Sequence, residues 1–466
     1  MGGAGKRSPL DLRVRQRIAN WLKGREFLRS ALVLVSGTAL AQLIMLLTLP
    51  LLTRLYAPED FSVLALYLGI ITIVASAACL GFDMAVAMPS SDRDAVHLLI
   101  LAAASACLVA LILSVLVAFW HPDWFRENAA VRLYEYRWLL PLGVLLTALF
   151  TAVQFYAVRR RAFLRLSTAR VCQAFIGTAL QAGGALLQWV PGGLLIGQML
   201  ASGGGILYLL PWIRRANSGL DCDKVSLARL RALAYEYRRF PQFTTFESLT
   251  NNIAIQLPII LIAMWLAGPE AGFLFLAMRV MQTPIGMVGG AIGQVYLSKA
   301  PETRRSGMLS ELTGSVLHGA IKVGVLPIAC MGVVAPGLFD WLFGESWSRA
   351  GELVSWMAPW LLLQYLASPI SMVMHVQERQ RMMLLLTCGG VVIRLGALLM
   401  SAVLLPSWVS EVYALSGTVF YLLCLLVFGK TAGLQNKQWL SLVGSFSLYA
   451  LLGLFLGLLM NKLLGW

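Results

Sequence analysis

Charged side chains are scarce in this chain: they are 13% of its 466 residues, with only 22 Asp and Glu, against 59% hydrophobic residues and a mean hydropathy of +0.76. So little charge excludes an ordinary soluble domain, in which about a quarter of the residues are charged. Short segments of alternating polarity are missing as well, which excludes a porin-type barrel. The apolar runs are about 20 residues long, the length of a membrane-spanning helix. No Walker-type loop, HExxH, nucleophile elbow or paired-cysteine motif is present, and His97, His121, His318 and His375 are scattered at loop or span ends. ATP-driven work and bond-making chemistry therefore have no visible machinery. The longest loop, 214–241, is too short for the extramembrane part expected of a polytopic glycosyltransferase or polymerase. Seven cysteines are an odd number; six lie in apolar runs and Cys222 in a basic loop, which implies neither a disulfide framework nor a metal site. No cleavable signal is evident, because the first apolar run is of full span length and lacks an A-x-A site.

What the chain does have is thirteen apolar runs, at about 31–53, 61–86, 96–119, 138–158, 168–189, 192–213, 243–266, 272–297, 314–336, 353–375, 382–404, 411–429 and 440–463. The reading is an all-α polytopic membrane protein. Of the 37 Lys and Arg, 28 fall in alternate loops on one side, 6 on the other, and three, Arg279, Lys322 and Arg394, within spans. That asymmetry places the N-terminus in the cytoplasm and accounts for the net charge of +15 without nucleic acid. Residues 1–30 read as a basic helix lying on an anionic membrane face, with Val14, Ile18, Trp21 and Leu22 on one side. Residues 226–240 read as a second in-plane helix, with Leu227, Leu230, Leu233 and Tyr237 on one side. It lies in a cytoplasmic linker, 214–242, between an N-lobe at 31–213 and a C-lobe at 243–429. The run at 440–463 is extra to a six-plus-six plan, and parity puts the C-terminus outside.

The stretch 272–299 organises the rest. Arg279 lies about 12 Å from its nearer end at the helical rise, and an arginine facing lipid there costs at least ~2.5 kcal/mol. It is expected to face the protein or a wet cavity, either as a fixed cation or in a structural pair. Pro284 predicts a kink, and Gly286, Gly289, Gly290 and Gly293 predict close approach of another helix. Arg394 is about 16 Å from either end of its span, beyond snorkelling reach. Lys322 either faces the interior or reaches the cytoplasmic interface. Surplus cations favour an anionic cargo, and arginine's planar fork suits phosphate oxygens. Asp83 and Glu247 are candidates for proton or sodium coupling, or are interface carboxylates that are solvated or arginine-paired. Gln42, Asn251, Asn252 and Gln256 suit sugar hydroxyls or interhelical hydrogen bonds. Pro50, Pro258, Pro284, Pro359 and Pro369 mark points where a two-state carrier could bend.

The halves echo each other. Thr38 and Gln42 precede RLYAPEDFSVLAL at 54–66, and Asn252 and Gln256 precede WLAGPEAGFLFLA at 265–277. Recurrence after an even number of spans implies repeats of the same orientation, with a site at their interface.

SGTALAQLIMLLTLPLLTRLYAPEDFSVLALY at 36–67 with LGFDMAVAMPSSDRDA at 80–95 resembles the opening of bacterial Wzx-type flippases of O-antigen or exopolysaccharide repeat units, and RVMQTPIGMVGGAIGQVYLSKA at 279–300 resembles their eighth span. These are members of the multidrug/oligosaccharidyl-lipid/polysaccharide exporter superfamily. The resemblance implies two six-helix lobes related by a pseudo-two-fold axis around a V-shaped central cavity, to which the run at 440–463 adds a C-terminal helix. It also implies alternating access carrying an undecaprenyl-pyrophosphate-linked oligosaccharide between leaflets of the bacterial inner membrane. Arg279 would line that cavity, with Arg394, Lys322, Arg54, Gln42, Gln256 and Asn252 as further candidate binding residues and Asp83 in a matched motif. No enzyme activity and no cofactor are implied beyond H+ or Na+ coupling; the implied partners are the lipid-linked glycan, membrane lipids and other polysaccharide assembly proteins. Where family members often have Arg-Tyr-Glu, this chain has Gly81-Phe82-Asp83, so a cation is missing there. The alternatives are a peptidoglycan-precursor (lipid II) flippase and a multidrug or cation antiporter, the latter disfavoured by the cation surplus.

Overall fold

The computed structural model describes residues 33, 35–121, 128–216, 226–266 and 268–466. The basic helix expected at 1–30 lies outside the described residues, as does Cys222. Thirteen long helices follow one another: α1 Val35–Leu55, α2 Pro58–Ala78, α3 Asp92–Ala118, α4 Leu139–Arg159, α5 Phe163–Leu186, α6 Gly192–Arg215, α7 Phe240–Trp265, α8 Glu270–Arg305, α9 Leu309–Phe343, α10 Glu345–Val376, α11 Arg381–Leu404, α12 Pro406–Ala432 and α13 Asn436–Leu464. Among the described residues twelve of these are long and apolar enough to cross a membrane, α5 being the exception. The α5 helix has crossing length but carries Arg165, Ser167, Thr168, Arg170, Gln173 and Gln181. The chain is a multi-pass, all-α membrane protein.

Two lobes are visible in which helix packs on which. In α1–α6, α2 and α3 pack on α4, α4 on α6, and α5 on α6; in α7–α12, α8 and α9 pack on α10, α10 on α12, and α11 on α12. The order repeats element for element, which is the arrangement expected of two repeats in the same orientation. Small residues set the closest contacts. A Cβ on Gly184 would lie 2.5 Å from the Gly193 backbone, so α5 and α6 touch through bare backbone. The thirteenth helix lies on α9 by the same means: a Cβ on Gly453 would meet the Leu326 carbonyl at 2.5 Å.

The lobes join at the end carrying residues 53–62, 268–275 and 341–347. Trp347 Nε1 donates to the Thr53 carbonyl at 2.9 Å, and Phe61 meets Trp347 edge-on at 4.8 Å between ring centres. The two Pro-Glu turns that echo each other in sequence abut here. The Gly272 amide donates to Ser62 Oγ at 2.8 Å, and a Cβ on Gly272 would fall 2.1 Å from the Pro58 carbonyl oxygen. Arg349 binds Glu270 at 3.1 Å and Glu352 at 3.0 Å, and also Glu411, tying the starts of α8, α10 and α12 together at this end.

The linker helix runs Leu227–Glu236 and is shorter than expected. Leu233 is 1% exposed against the N-lobe, while Leu227 is exposed. Arg229 holds Asp94, at the start of α3, through Nε at 2.9 Å and Nη2 at 2.8 Å. The apolar face therefore lies on protein at Leu233 and is left open at Leu227.

Candidate functional site

The α8 helix changes character along its length. From Ala271 to Met281 nearly every residue is buried, whereas from Gln282 onward most are exposed. The helix continues through Pro284. Nothing lies within 4 Å of a Cβ placed on Gly286, Gly289 or Gly290, and only the Pro369 backbone, at 3.6 Å, approaches Gly293. The expectation that these glycines admit a neighbouring helix holds at Gly293, which the α10 backbone approaches, and is overturned at Gly286 and Gly290. Gly286 and Gly290 border open space, because the lobes are pressed together along Ala271–Met281 and not after it.

That space is the interlobe chamber. One compartment of about 460 Å3 is bounded by Thr38 and Gln42 on α1, Arg170 on α5, and Gln282, Thr283, Gly286 and Met287 on α8. Thr283 Oγ1 donates to the Arg279 carbonyl at 2.7 Å, and Arg170 donates to Thr38 Oγ1. The Arg279 guanidinium sits at the lobe seam, with Nη2 3.7 Å from Met45 Sδ. Among the described residues neither Arg279 nor Arg170 is in a salt bridge, so two guanidinium groups face the seam and chamber with no acid to neutralise them. Among the described residues no Asp or Glu lines that compartment. Such a site attracts anions, and its amides and hydroxyls can bond neutral polar groups.

Sequence reading missed Arg170 by assigning it to the preceding loop, where Arg159, Arg160, Arg161 and Arg165 obscure it. The signal was the polar stripe of Ser167, Arg170, Thr178 and Gln181 at helical spacing, which turns the second arginine inward.

Other candidates separate. Arg394 lines a different cavity, of about 230 Å3, within the second lobe between α7 and α10–α12, so it and Arg279 do not share a pocket. The Arg394 guanidinium lies 4.7 Å from the Trp360 ring centre and 4.6 Å from that of Tyr413, to whose hydroxyl it donates. Asn251 lines the same cavity. Lys322 is exposed beside Val323 on a π-helical turn of α9 and lines neither cavity, consistent with an interface lysine. Arg54 is exposed and donates to the Trp341 carbonyl at 3.4 Å, a tie between lobes at the joined end. Asn252 bonds the Ser248 carbonyl of its own helix at 2.8 Å, and Gln256 lies at the seam of α7 with α2, near Gly69.

The acids also part company. Glu247 is exposed in the first turn of the regular helix in α7. Asp83 is half-buried on the short helix Phe82–Ala85, between α2 and α3. Burial pushes its carboxyl above the usual range, opposed by hydrogen bonds from the Met84 amide and its own. Gly81, at φ +69°, sits against the start of α7, where a Cβ would be 3.2 Å from the Phe240 carbonyl; this is the backbone reason for glycine here. The remainder of that motif is structural. Asp92 binds Arg159 at 3.1 Å and Arg160 at 2.8 Å.

A carboxyl with a raised folded-state pKa contributes stability below its unfolded value, and that contribution is lost as pH rises through the folded value. Asp83→Asn should therefore flatten the loss of thermal stability as pH rises above the ordinary aspartate value of about 4, measured by unfolding of purified protein in detergent.

Among solved structures the chain is similar to a lipid II flippase, MurJ, in an inward closed conformation, with a TM-score of 0.65, 12% identity and coverage of 94% of this chain and 98% of that one. It is similar to a multidrug resistance MATE family transporter of the MOP superfamily in an inward-facing conformation, with a TM-score of 0.63, 15% identity and coverage of 86% and 94%. A MOP superfamily transporter from Pyrococcus furiosus follows at a TM-score of 0.55, 15% identity and coverage of 87% and 95%. No match is found among curated proteins. These likenesses establish the two-lobed transporter fold. Residues 51–352, well over half of the chain, match the family described as polysaccharide biosynthesis protein, and the chain belongs to that family.

Proposed function

We propose that this protein flips undecaprenyl-pyrophosphate-linked oligosaccharide repeat units from the cytoplasmic to the periplasmic leaflet of the bacterial inner membrane, by alternating access, for O-antigen or exopolysaccharide synthesis. The observation that carries the reading is the pair of carboxylate-free arginines, Arg279 and Arg170, at a chamber closed at one end and open along the glycine face of α8. With the N-terminus cytoplasmic, the open end faces the leaflet where the cargo is made. The pyrophosphate docks near Arg279 and Arg170, the glycan occupies the chamber beside Gln42, Gln282 and Thr283, and the prenyl tail stays in lipid between the lobes.

Alternating access then means closing the open end and parting the joined one. Among the described residues the joined end is held by aromatic contacts and single hydrogen bonds rather than by buried salt bridges across the lobes, the kind of interface that can repack. Asp83 is the carboxyl best placed for H+ or Na+ coupling, because its burial lets the charge state differ between conformations. A cation antiporter fits less well, since among the described residues the chamber compartment is lined by an arginine and no acid.

Deletion followed by leaflet assignment of lipid-linked glycans with an externally added glycan-cleaving enzyme tests the proposal. The expected result is inward-facing accumulation of a repeat unit, with peptidoglycan precursor unaffected. Normal surface polymer would contradict it, and accumulation of peptidoglycan precursor alone would reassign the cargo.

A further inference from the structure

We infer that the second-lobe cavity around Arg394 is a subsite for one sugar ring bearing a carboxylate, the size of a hexuronic acid. The inference rests on the reading of the protein as a glycan carrier and assigns this subsite to an acidic sugar of the cargo.

The Arg394 side chain is built in rather than free. It is 8% exposed, wedged against Trp360 and bonded to Tyr413, and those rings meet edge-on at 5.5 Å. Glycines make room for the cage: a Cβ on Gly417 would lie 2.7 Å from Trp360, and one on Gly390 2.3 Å from Phe420. Yet among the described residues no carboxylate pairs with this guanidinium, and its Nε is buried with no hydrogen-bond partner. Cation–π contact offsets only part of the cost of burying a guanidinium. The site therefore asks for an anion.

The cavity says which kind. Its polar wall is Asn251, Gln364, Ser368 and Thr387, and Gln364 Oε1 is itself buried without a partner, an acceptor set for a hydroxyl donor. Phe420 and Tyr421 also line it, their rings inclined at 63° to each other, and an aromatic ring face is an apolar surface of the sort on which the CH face of a sugar rests. A volume of about 230 Å3 is the share of roughly eight waters, room for a single substituted ring and too little for a pyrophosphate with its attached chain. A neutral ring would leave the guanidinium uncompensated, and a bare ion would leave the aromatic wall unused.

The test measures binding of D-glucuronate, D-glucose and acetate to the full-length protein in nanodiscs by ligand-observed NMR. Glucuronate is expected to bind saturably, about tenfold or more tighter than either glucose or acetate, and Arg394→Gln and Phe420→Ala are each expected to weaken it by a similar factor. If Arg394→Gln fails to fold, Phe420→Ala and Gln364→Ala carry the test. Equal binding of acetate, equal binding of glucose, or unchanged affinity in the variants would overturn the inference. A protein that flips lipid-linked glycan but binds no glucuronate refutes this subsite alone; one that binds glucuronate but flips nothing refutes the flippase reading instead.

Discussion

Replacing Arg279 by Ala is expected to abolish flipping, by about a hundredfold or more, while the protein stays folded and reaches the membrane at its normal level. The two effects have opposite signs for one reason. A guanidinium at the lobe seam with no carboxylate beside it is a desolvated charge, and removing it relieves a cost of about 1–3 kcal/mol. The same removal takes away the fork that would grip two phosphate oxygens. Thermal stability in detergent should therefore hold or rise as transport falls. Arg279→Lys keeps a point charge without the fork and should recover a fraction of activity. A large loss of stability in Arg279→Ala would mean that the residue is a structural pair.

Gly272→Leu should be nearly as damaging through a different route. With the Pro58 carbonyl oxygen 2.1 Å from where a Cβ would stand and the Ser62 amide at 3.0 Å, a side chain here must push α8 off α2 at the joined end. Overpacking of this kind costs about 1–3 kcal/mol, charged entirely to the conformation in which the lobes meet. The state in which the lobes meet at this end would be depopulated, so transport should fall sharply. Trapping of a cysteine pair placed across the open end should rise in Gly272→Leu relative to a control substitution at Gly183, around which nothing lies within 4 Å. Unchanged trapping would show that the joined end does not close off this state.

Much of this architecture was legible in the sequence because bilayer thickness and the cost of bare backbone in lipid leave few choices for a long apolar run. The paired Pro-Glu turns went further. They betray the repeat, and they are the segments that meet at the joined end. What the sequence did not convey was direction around each helix. Small residues serve equally for helix contact, as Gly184 and Gly453 do, and for leaving a wall bare, as Gly286 and Gly290 do, and composition cannot tell these apart. Arg279 and Arg394 looked alike, each a mid-span arginine, yet one faces the seam and the other sits in an aromatic cage within a lobe. Arg170 stayed hidden because a run of loop arginines stands just before it. Helix rotation is set by partners distant in sequence, and that is the information a single chain pattern lacks.

The central claim is that the glycine-lined face of α8 and the seam arginines enclose the headgroup of a glycan-bearing prenyl pyrophosphate. A photo-reactive side chain introduced at Gly286 should capture lipid-linked glycan in membranes, and the adduct should disappear when Arg279 is also replaced by Ala. The same side chain at Leu385, exposed on α11, should capture none. Equal capture at both positions, or capture at Gly286 that is indifferent to Arg279, would contradict the account.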